Sequence, residues 1–421
     1  MELTRGLEQF NLRDTHTPYP GNPYYITGAL GLLDAPGEYF FDKQTNLLYF
    51  YPPWNGRPDA RTLSMRHYLD VAVFAQNTSF VNIKNITVYG GGINMLNSNN
   101  NITENCRINY AEHFYESGWD DVPHFMRGGI VLTGSNNKIS GCEIGYSAGN
   151  GAVLAGDDNI FTNNIVHNTG YSGNFFASLY VNNSNRQEIS FNTFKDVARK
   201  HVYFHVMGKF NRCIVRNNYF ENHGIFNTDC GAFYAFGSDG GQIEIYNNFV
   251  VVGNKGSFGS MDRIQVGLYI DNHTSNYIVR NNIIIGGGYG LMNNLWSSGT
   301  RFHNNTVVGS NYGISFYGFP VDNADASAVT FTDNLFVSTR NFDINYWGTE
   351  NGRGIGYQGN FINGTIPVTQ RPEGRMTSSG NARGTIDEYY RPTGNTPDIG
   401  AIPRGGLMFA YGADWNLGER R

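Results

Sequence analysis

Cysteine is scarce, with four in 421 residues, and Cys106, Cys142, Cys213 and Cys230 have neither metal-ligand spacing nor the density of a disulfide scaffold. Buried free thiols are expected. Cys106 in Glu-Asn-Cys-Arg-Ile and Cys142 in Ser-Gly-Cys-Glu-Ile look register-equivalent, so they should stack on adjacent repeats, where a bridge is conceivable but not expected. Charge is also sparse, at 15% of residues with a net value of -5. No basic field exists to hold nucleic acid or an anionic membrane, so neither is expected as a partner. No apolar run approaches the roughly 18 residues of a membrane span. Met1-Glu2-Leu3-Thr4-Arg5 is not followed by the apolar core of a signal peptide. Nothing in the pattern calls for a cofactor or a metal.

What is abundant is glycine, with 53 residues, and aromatics, with 27 Tyr and 29 Phe. Aromatics at that level suit strands, and they also suit a surface on which sugar rings stack. The organising pattern is an aliphatic pair, then two polar residues that are usually asparagine, then another β-rich triplet. Clear copies are Ile214-Val215-Arg216-Asn217-Asn218-Tyr219-Phe220, Ile278-Val279-Arg280-Asn281-Asn282-Ile283-Ile284 and Phe302-His303-Asn304-Asn305-Thr306-Val307-Val308. About a dozen residues before each stands a second element, as in Gly151-Ala152-Val153-Leu154, Gly231-Ala232-Phe233-Tyr234 and Gly267-Leu268-Tyr269-Ile270. Each unit therefore holds at least two short strands.

A period that shortens to about 22 residues and lengthens by insertions is the signature of a solenoid with decorated turns. Asparagine tolerates left-handed backbone geometry at a turn, and stacked copies form amide ladders. The expected fold is all-β, a right-handed parallel β-helix with a small N-terminal β-rich attachment. Its parts are residues 1–79 with a hairpin over Pro36–Pro53, a solenoid of about nine coils over 80–402, and a C-terminal tail over 403–421. Insertions after Gly253 and around Trp119 should project from one face.

The hairpin, the Asn-Asn coils, Asp229-Cys230-Gly231-Ala232-Phe233-Tyr234 and Gly267-Leu268-Tyr269-Ile270-Asp271-Asn272 together resemble carbohydrate-active β-helix proteins. The closest likeness is to glycoside hydrolase family 141, over roughly residues 30 to 402. That resemblance implies hydrolysis of plant cell-wall-type glycans, of fucosidase or xylanase type, by two aspartates, Asp229 and Asp271. It also implies a secreted or periplasmic location. Relatives carry a longer segment before the hairpin, which points to a truncated N-terminus or a differently capped first coil.

Glycoside hydrolysis needs one carboxylic acid to protonate the leaving oxygen and a second carboxylate to attack, or to activate water. If Gly231 and Gly267 are register-equivalent, a straight strand would hold Asp229 and Asp271 roughly 20 Å apart. Either the coil bends between them or Asp239 is the substitute partner. His201, His205, His223, Tyr234, Tyr269, Asn272 and His273 are candidate sugar contacts, and Trp119 and Trp296 are candidate stacking platforms. Two alternatives remain. A polysaccharide lyase acting on uronic-acid polymers would use Arg199-Lys200 as its basic pair. A non-catalytic, glycan-binding or adhesive solenoid would need no paired acids.

Overall fold

The computed structural model describes residues 28–57, 59, 71–112, 127–171, 175–205, 208–226, 228–253, 264–318, 329–339, 341–346, 356–358, 360–363, 368–370, 377–379, 382–383, 401–402, 408 and 410–416. Trp119 and the insertion after Gly253 lie outside them. Two units separate, residues 1–68 with 258–261, and the remainder. In the first, Tyr39–Asp42 pairs antiparallel with Leu47–Phe50. The carboxylate of Asp42 closes that hairpin by accepting from Gln44 N at 2.9 Å and Thr45 Oγ1 at 2.6 Å.

The second unit is the expected parallel β-helix. Its described strands form three sheets of twelve, each strand pairing with the equivalent strand one coil away. The first coil supplies Val71–Gln76 to sheet I, Asn82–Lys84 to sheet II and Thr87–Tyr89 to sheet III, and the last supplies Val368–Gln370, Thr377–Ser379 and Ala382–Arg383. The count exceeds the expected nine because the first three coils lack the Asn-Asn signature: their turns read Asn85-Ile86, Asn105-Cys106 and Gly141-Cys142.

The asparagine pairs divide two tasks between them. The first residue takes the left-handed turn, as at Asn163, Asn217, Asn247, Asn281 and Asn304, with φ from 53 to 57°. Asparagine enters that region at little cost. The second residue points inward and builds a ladder. From Asn192 through Asn218, Asn248, Asn282, Asn305 and Asn334 to Asn360, each Oδ1 accepts the previous coil's backbone N–H and side-chain amide at 2.9 to 3.1 Å, and Asn164 Oδ1, at the start of the ladder, accepts the Cys142 N–H at 2.9 Å. Cys106 and Cys142 occupy this position in two earlier coils, are neighbours by register, and are free thiols. The inward face of sheet III packs Ile144, Val166, Phe194, Phe220, Val250 and Ile284 in one line, all without exposure. Like stacked on like fills the core at every coil without new geometry.

Residues 401–402 and 410–416 return along the outside of sheet III. The second of these segments hooks onto the left-handed asparagines. Asp414 N–H donates to Asn163 Oδ1 at 2.9 Å, and Asn217 Nδ2 donates to the Ala410 carbonyl at 2.6 Å.

Candidate active site

Sheet I is buried on both faces through its middle coils. Val153, Tyr180, Tyr203, Tyr234, Tyr269 and Met292 stand in register on the face away from the solenoid core, and all are buried. The four tyrosine rings follow one another at 5.1 to 5.5 Å between centroids. The Lys200 ammonium, fully buried, lies 3.6 Å from the centroid of Tyr203 and 4.5 Å from that of Tyr234. Ring faces of negative potential offset part of what burying that charge costs.

The last two tyrosines of the row meet both aspartates. Tyr234 Oη donates to Asp271 Oδ2 at 2.5 Å, and Tyr269 Oη donates to Asp229 Oδ1 at 3.2 Å. Asn294 Nδ2 donates both to Tyr269 Oη at 3.2 Å and to Asp271 Oδ1 at 2.8 Å. By that chain of contacts the nearest oxygens of the two carboxyl groups stand no more than about 9 Å apart, a limit compatible with the roughly 5–9.5 Å that glycosidase acid pairs use. The strand therefore bends, and Gly231 is where. A Cβ there would lie 2.5 Å from the carbonyl oxygen of Phe233, two residues on, an approach that extended backbone does not make. Asp229 itself takes φ 58°, turning the chain again just before the strand.

The two acids sit in opposed surroundings. Asp271 is buried. Burial first, and the negative charge of Asp229 second, hold its carboxyl above the usual range, against the hydrogen bonds from Tyr234, Asn294 and the Asn272 N–H. Asp229 has a side chain 44% exposed, with an Arg199 guanidinium nitrogen 3.7 Å from Oδ2. The same guanidinium holds the Asp229 carbonyl at 3.2 Å and stacks 3.7 Å from the Phe175 ring centroid. Burial, and then the two carboxylates, push the phenols of Tyr234 and Tyr269 well above 10, so both remain donors.

The other expected contacts divide. Asn272 donates its N–H to Asp271 at 2.8 Å and keeps a buried side-chain oxygen without a partner among the described residues. His273 and Trp296 stack at 4.6 Å beside it, both at φ 56°. For tryptophan that backbone is strained, and strain of this kind gathers at ligand sites. His205 packs against Tyr180 and Tyr203. Asp239 is used elsewhere: its carboxylate ties a turn through Gly241 N–H at 3.0 Å and Asn276 Nδ2 at 2.8 Å. His201 and His223 are buried inside the solenoid, where His201 spans Ser178 Oγ and the Glu221 carbonyl. No sugar reaches them there.

Sequence reading passed over Asn294, Ser297, whose Oγ donates to the Asp271 carbonyl at 2.9 Å, and the structural part of Arg199. Asn294 was recoverable from register, since Ile270 pairs with Asn293 and so sets Asn294 beside Asp271 one coil on. Two expected outcomes arise here. Gly231→Ala drives a Cβ against backbone, costing about 1–3 kcal/mol, and a displacement of Asp229 by about 1 Å lowers turnover roughly 100-fold. Circular-dichroism melts and turnover measured together separate the two effects. The histidine pair contributes to acid sensitivity. Burial pushes His223 down to about 4 and His201 well below 6.5. The unfolded chain therefore takes up these protons first, and stability falls as pH drops from 6.5 towards 4, by about 3 kcal/mol for His223 alone. A His223→Phe variant should show a flatter melting-temperature profile across that window.

The sequence matches the family described as a right handed beta helix region over residues 69–250 and 128–362. No curated protein gives a significant match. Among solved structures, a glycoside hydrolase aligns with a TM-score of 0.51 at 16% identity, over 65% of this chain and 57% of that one. The chain thus spans little more than half of that protein's length. The pectate lyase Pel9A aligns with a TM-score of 0.41 at 14% identity, over 77% of this chain and 87% of its own. The alginate lyase AlyGC gives 0.34 at 12%, over 80% and 56%.

Proposed function

From the premise that this chain belongs to the right-handed β-helix family, a scaffold that does not by itself fix an activity, we propose that it is a glycoside hydrolase acting on a complex polysaccharide. One observation carries the reading: two carboxyl groups in contrasting environments, joined by the Tyr269 phenol and Asn294. Pairs of titratable groups whose surroundings drive them apart are how one site holds an acid and a base at the same pH. Asp271, whose carboxyl burial and its neighbour's charge hold above the usual range, is the general acid that protonates the glycosidic oxygen. Asp229, open to water and braced by Arg199, is the nucleophile or the base that activates water. Tyr269, donating to Asp229, and Asn294, donating to Asp271, fix the distance between the two. His273 and Trp296 offer a ring platform beside Asp271. The likeness to glycoside hydrolase family 141 agrees with these positions and suggests a plant cell-wall glycan of fucosylated or xylan type. Substrates of that size place the enzyme outside the cytoplasm.

The lyase alternative needs a base able to reach a uronate. Lys200 lies buried among Tyr203, Tyr234 and Phe175, so it acts on this site through those rings. The deciding experiment is reducing-sugar release from a polysaccharide panel by the wild type, Asp229→Asn and Asp271→Asn, with ultraviolet absorbance followed in parallel. Release by the wild type alone, without an unsaturated product, is expected. An unsaturated product would replace hydrolysis with elimination, and full activity in either variant would remove that aspartate from the mechanism.

A further inference from the structure

The strands of sheet III hold, at or just beyond their C-terminal ends, one left-handed residue per coil. In successive coils it is Tyr110, Tyr146, Asn168, Asp196 and Asn222, all with φ between 49 and 57°. Asparagine and aspartate suit this backbone and tyrosine does not. The two tyrosines are nonetheless stacked at 4.8 Å, and Tyr110 lies 4.9 Å from Tyr89. None of the three is buried: Tyr89 is 67%, Tyr110 42% and Tyr146 38% exposed. Their burial thus does little to offset the strain that two of them carry.

The row has a continuation. Tyr146 meets the edge of His167 at 5.1 Å, and His167 is the register partner of Lys195 one coil on. Lys195 lines a cavity of about 540 Å³ under the returning C-terminal segment, together with Thr193, Tyr219, Tyr411 and Trp415. That volume falls in the range of small-ligand pockets. Tyr411 stacks on Phe249 at 4.6 Å and lies 5.8 Å from Tyr219, giving the cavity an aromatic wall. Its charges are paired, Lys195 with Glu221 at 3.2 Å, and along the row Glu143 pairs with Arg107 at 2.8 Å. A surface of ring faces, hydroxyls and neutralised charge fits an uncharged polyhydroxylated chain better than a polyelectrolyte. From the coil of Tyr89 to that of Tyr219 the row spans five coil steps, about 24 Å.

We infer that the outer face of sheet III is a second, non-catalytic glycan-binding track, running from Tyr89, Tyr110 and Tyr146 to the cavity beneath residues 411–416. It deepens the hydrolase reading by giving the enzyme a polymeric, largely neutral substrate held at two places, and the two sites share no residue. A polymer gripped on sheet III raises the local concentration of its bonds at the aspartates on sheet I.

The test is affinity electrophoresis through gels containing soluble xylan, a fucose-containing polysaccharide, pectin or alginate. It compares the wild type, the Tyr110→Asn/Tyr146→Asn double variant, Tyr411→Ala and Asp229→Asn. Asparagine restores the residue type of neighbouring coils, so the double variant keeps its fold, which thermal melting checks. Retardation by a neutral polymer should weaken about tenfold in the double variant and in Tyr411→Ala, stay intact in Asp229→Asn, and leave hydrolysis of a short oligosaccharide unchanged. Undiminished retardation in both ring variants, or retardation of no form by any polymer, overturns the track and leaves the hydrolase reading to its own assay. Ring-dependent retardation by a protein with no turnover keeps the track and removes the hydrolase. Concentration-dependent dimers in sedimentation, abolished in the double variant, would show that a second copy covers these rings and overturn the inference.

Discussion

Asp271→Asn should lower kcat on a polysaccharide by roughly 10²–10⁴-fold, the usual worth of a positioned general acid, while sparing substrates whose leaving group needs no proton. Burial and the charge of Asp229 keep this carboxyl protonated to higher pH than an ordinary aspartate, and asparagine copies its size but has no proton to give. An aryl glycoside with an acidic phenol should then be turned over far better than the natural bond. Asp229→Asn should abolish both activities, because attack or water activation is needed whatever leaves. The stability signs follow. A carboxyl whose folded value is raised weakens the fold above that value and is relieved below the unfolded value near 3.8. Asp271→Asn should therefore raise the melting temperature at neutral pH, by a margin that shrinks as pH falls towards 4. The two acids also test each other. Removing the charge of Asp229 takes away one cause of the upward shift at Asp271, so its titration should move down in Asp229→Asn. Equal losses on activated and natural substrates in Asp271→Asn would assign that residue a structural role instead.

The fold was legible because its rule is repeated. Asn217-Asn218, Asn281-Asn282 and Asn304-Asn305 each announce the same turn, and the turn dictates both the strand before it and the strand after. Coils whose turns carry Ile86 or Cys106 follow the same backbone with a different inward residue, so a search for paired asparagines stops short of them. The candidate site was legible as a set of residue types and not as a set of distances. Alternation alone sets Asp229 and Asp271 far apart. They converge because the chain bends at Gly231 and turns at the left-handed Asp229 just before the strand, and neither event leaves a periodic trace. The histidines misled for a related reason. His201 lies two residues before Tyr203, on the same side by alternation, yet it turns inward to Phe194 and Phe220. Where a strand leaves a turn, alternation no longer tells which side of the sheet a side chain takes.

The ladder makes the other large prediction. Replacing Asn248 by alanine should destabilise the solenoid by about 2–6 kcal/mol, because three buried groups each lose a hydrogen bond at once and a group left bare costs roughly 1–3 kcal/mol. They are the Asn218 N–H, at 3.0 Å from Asn248 Oδ1, the Asn218 amide, also at 3.0 Å, and the Val215 carbonyl, which accepts from Asn248 Nδ2 at 2.9 Å. Aspartate does no better, since it turns a carboxylate towards the Asn282 Oδ1 that now accepts from Asn248 Nδ2 at 2.9 Å. Cys142→Asn is the informative contrast. The Cys142 N–H already donates to Asn164 Oδ1 at 2.9 Å, so an asparagine there has a prepared acceptor and extends the ladder by one coil, with a change within about 1 kcal/mol. Because each coil is coupled only to its neighbours, a break at Asn248 also weakens the interface between the two halves of the solenoid. Chemical denaturation of the wild type should be one transition, and that of Asn248→Ala should broaden or divide. A single sharp transition with an unchanged slope in the variant would mean that side-chain packing, through rows such as Phe194, Phe220 and Val250, couples the coils without help from the amides.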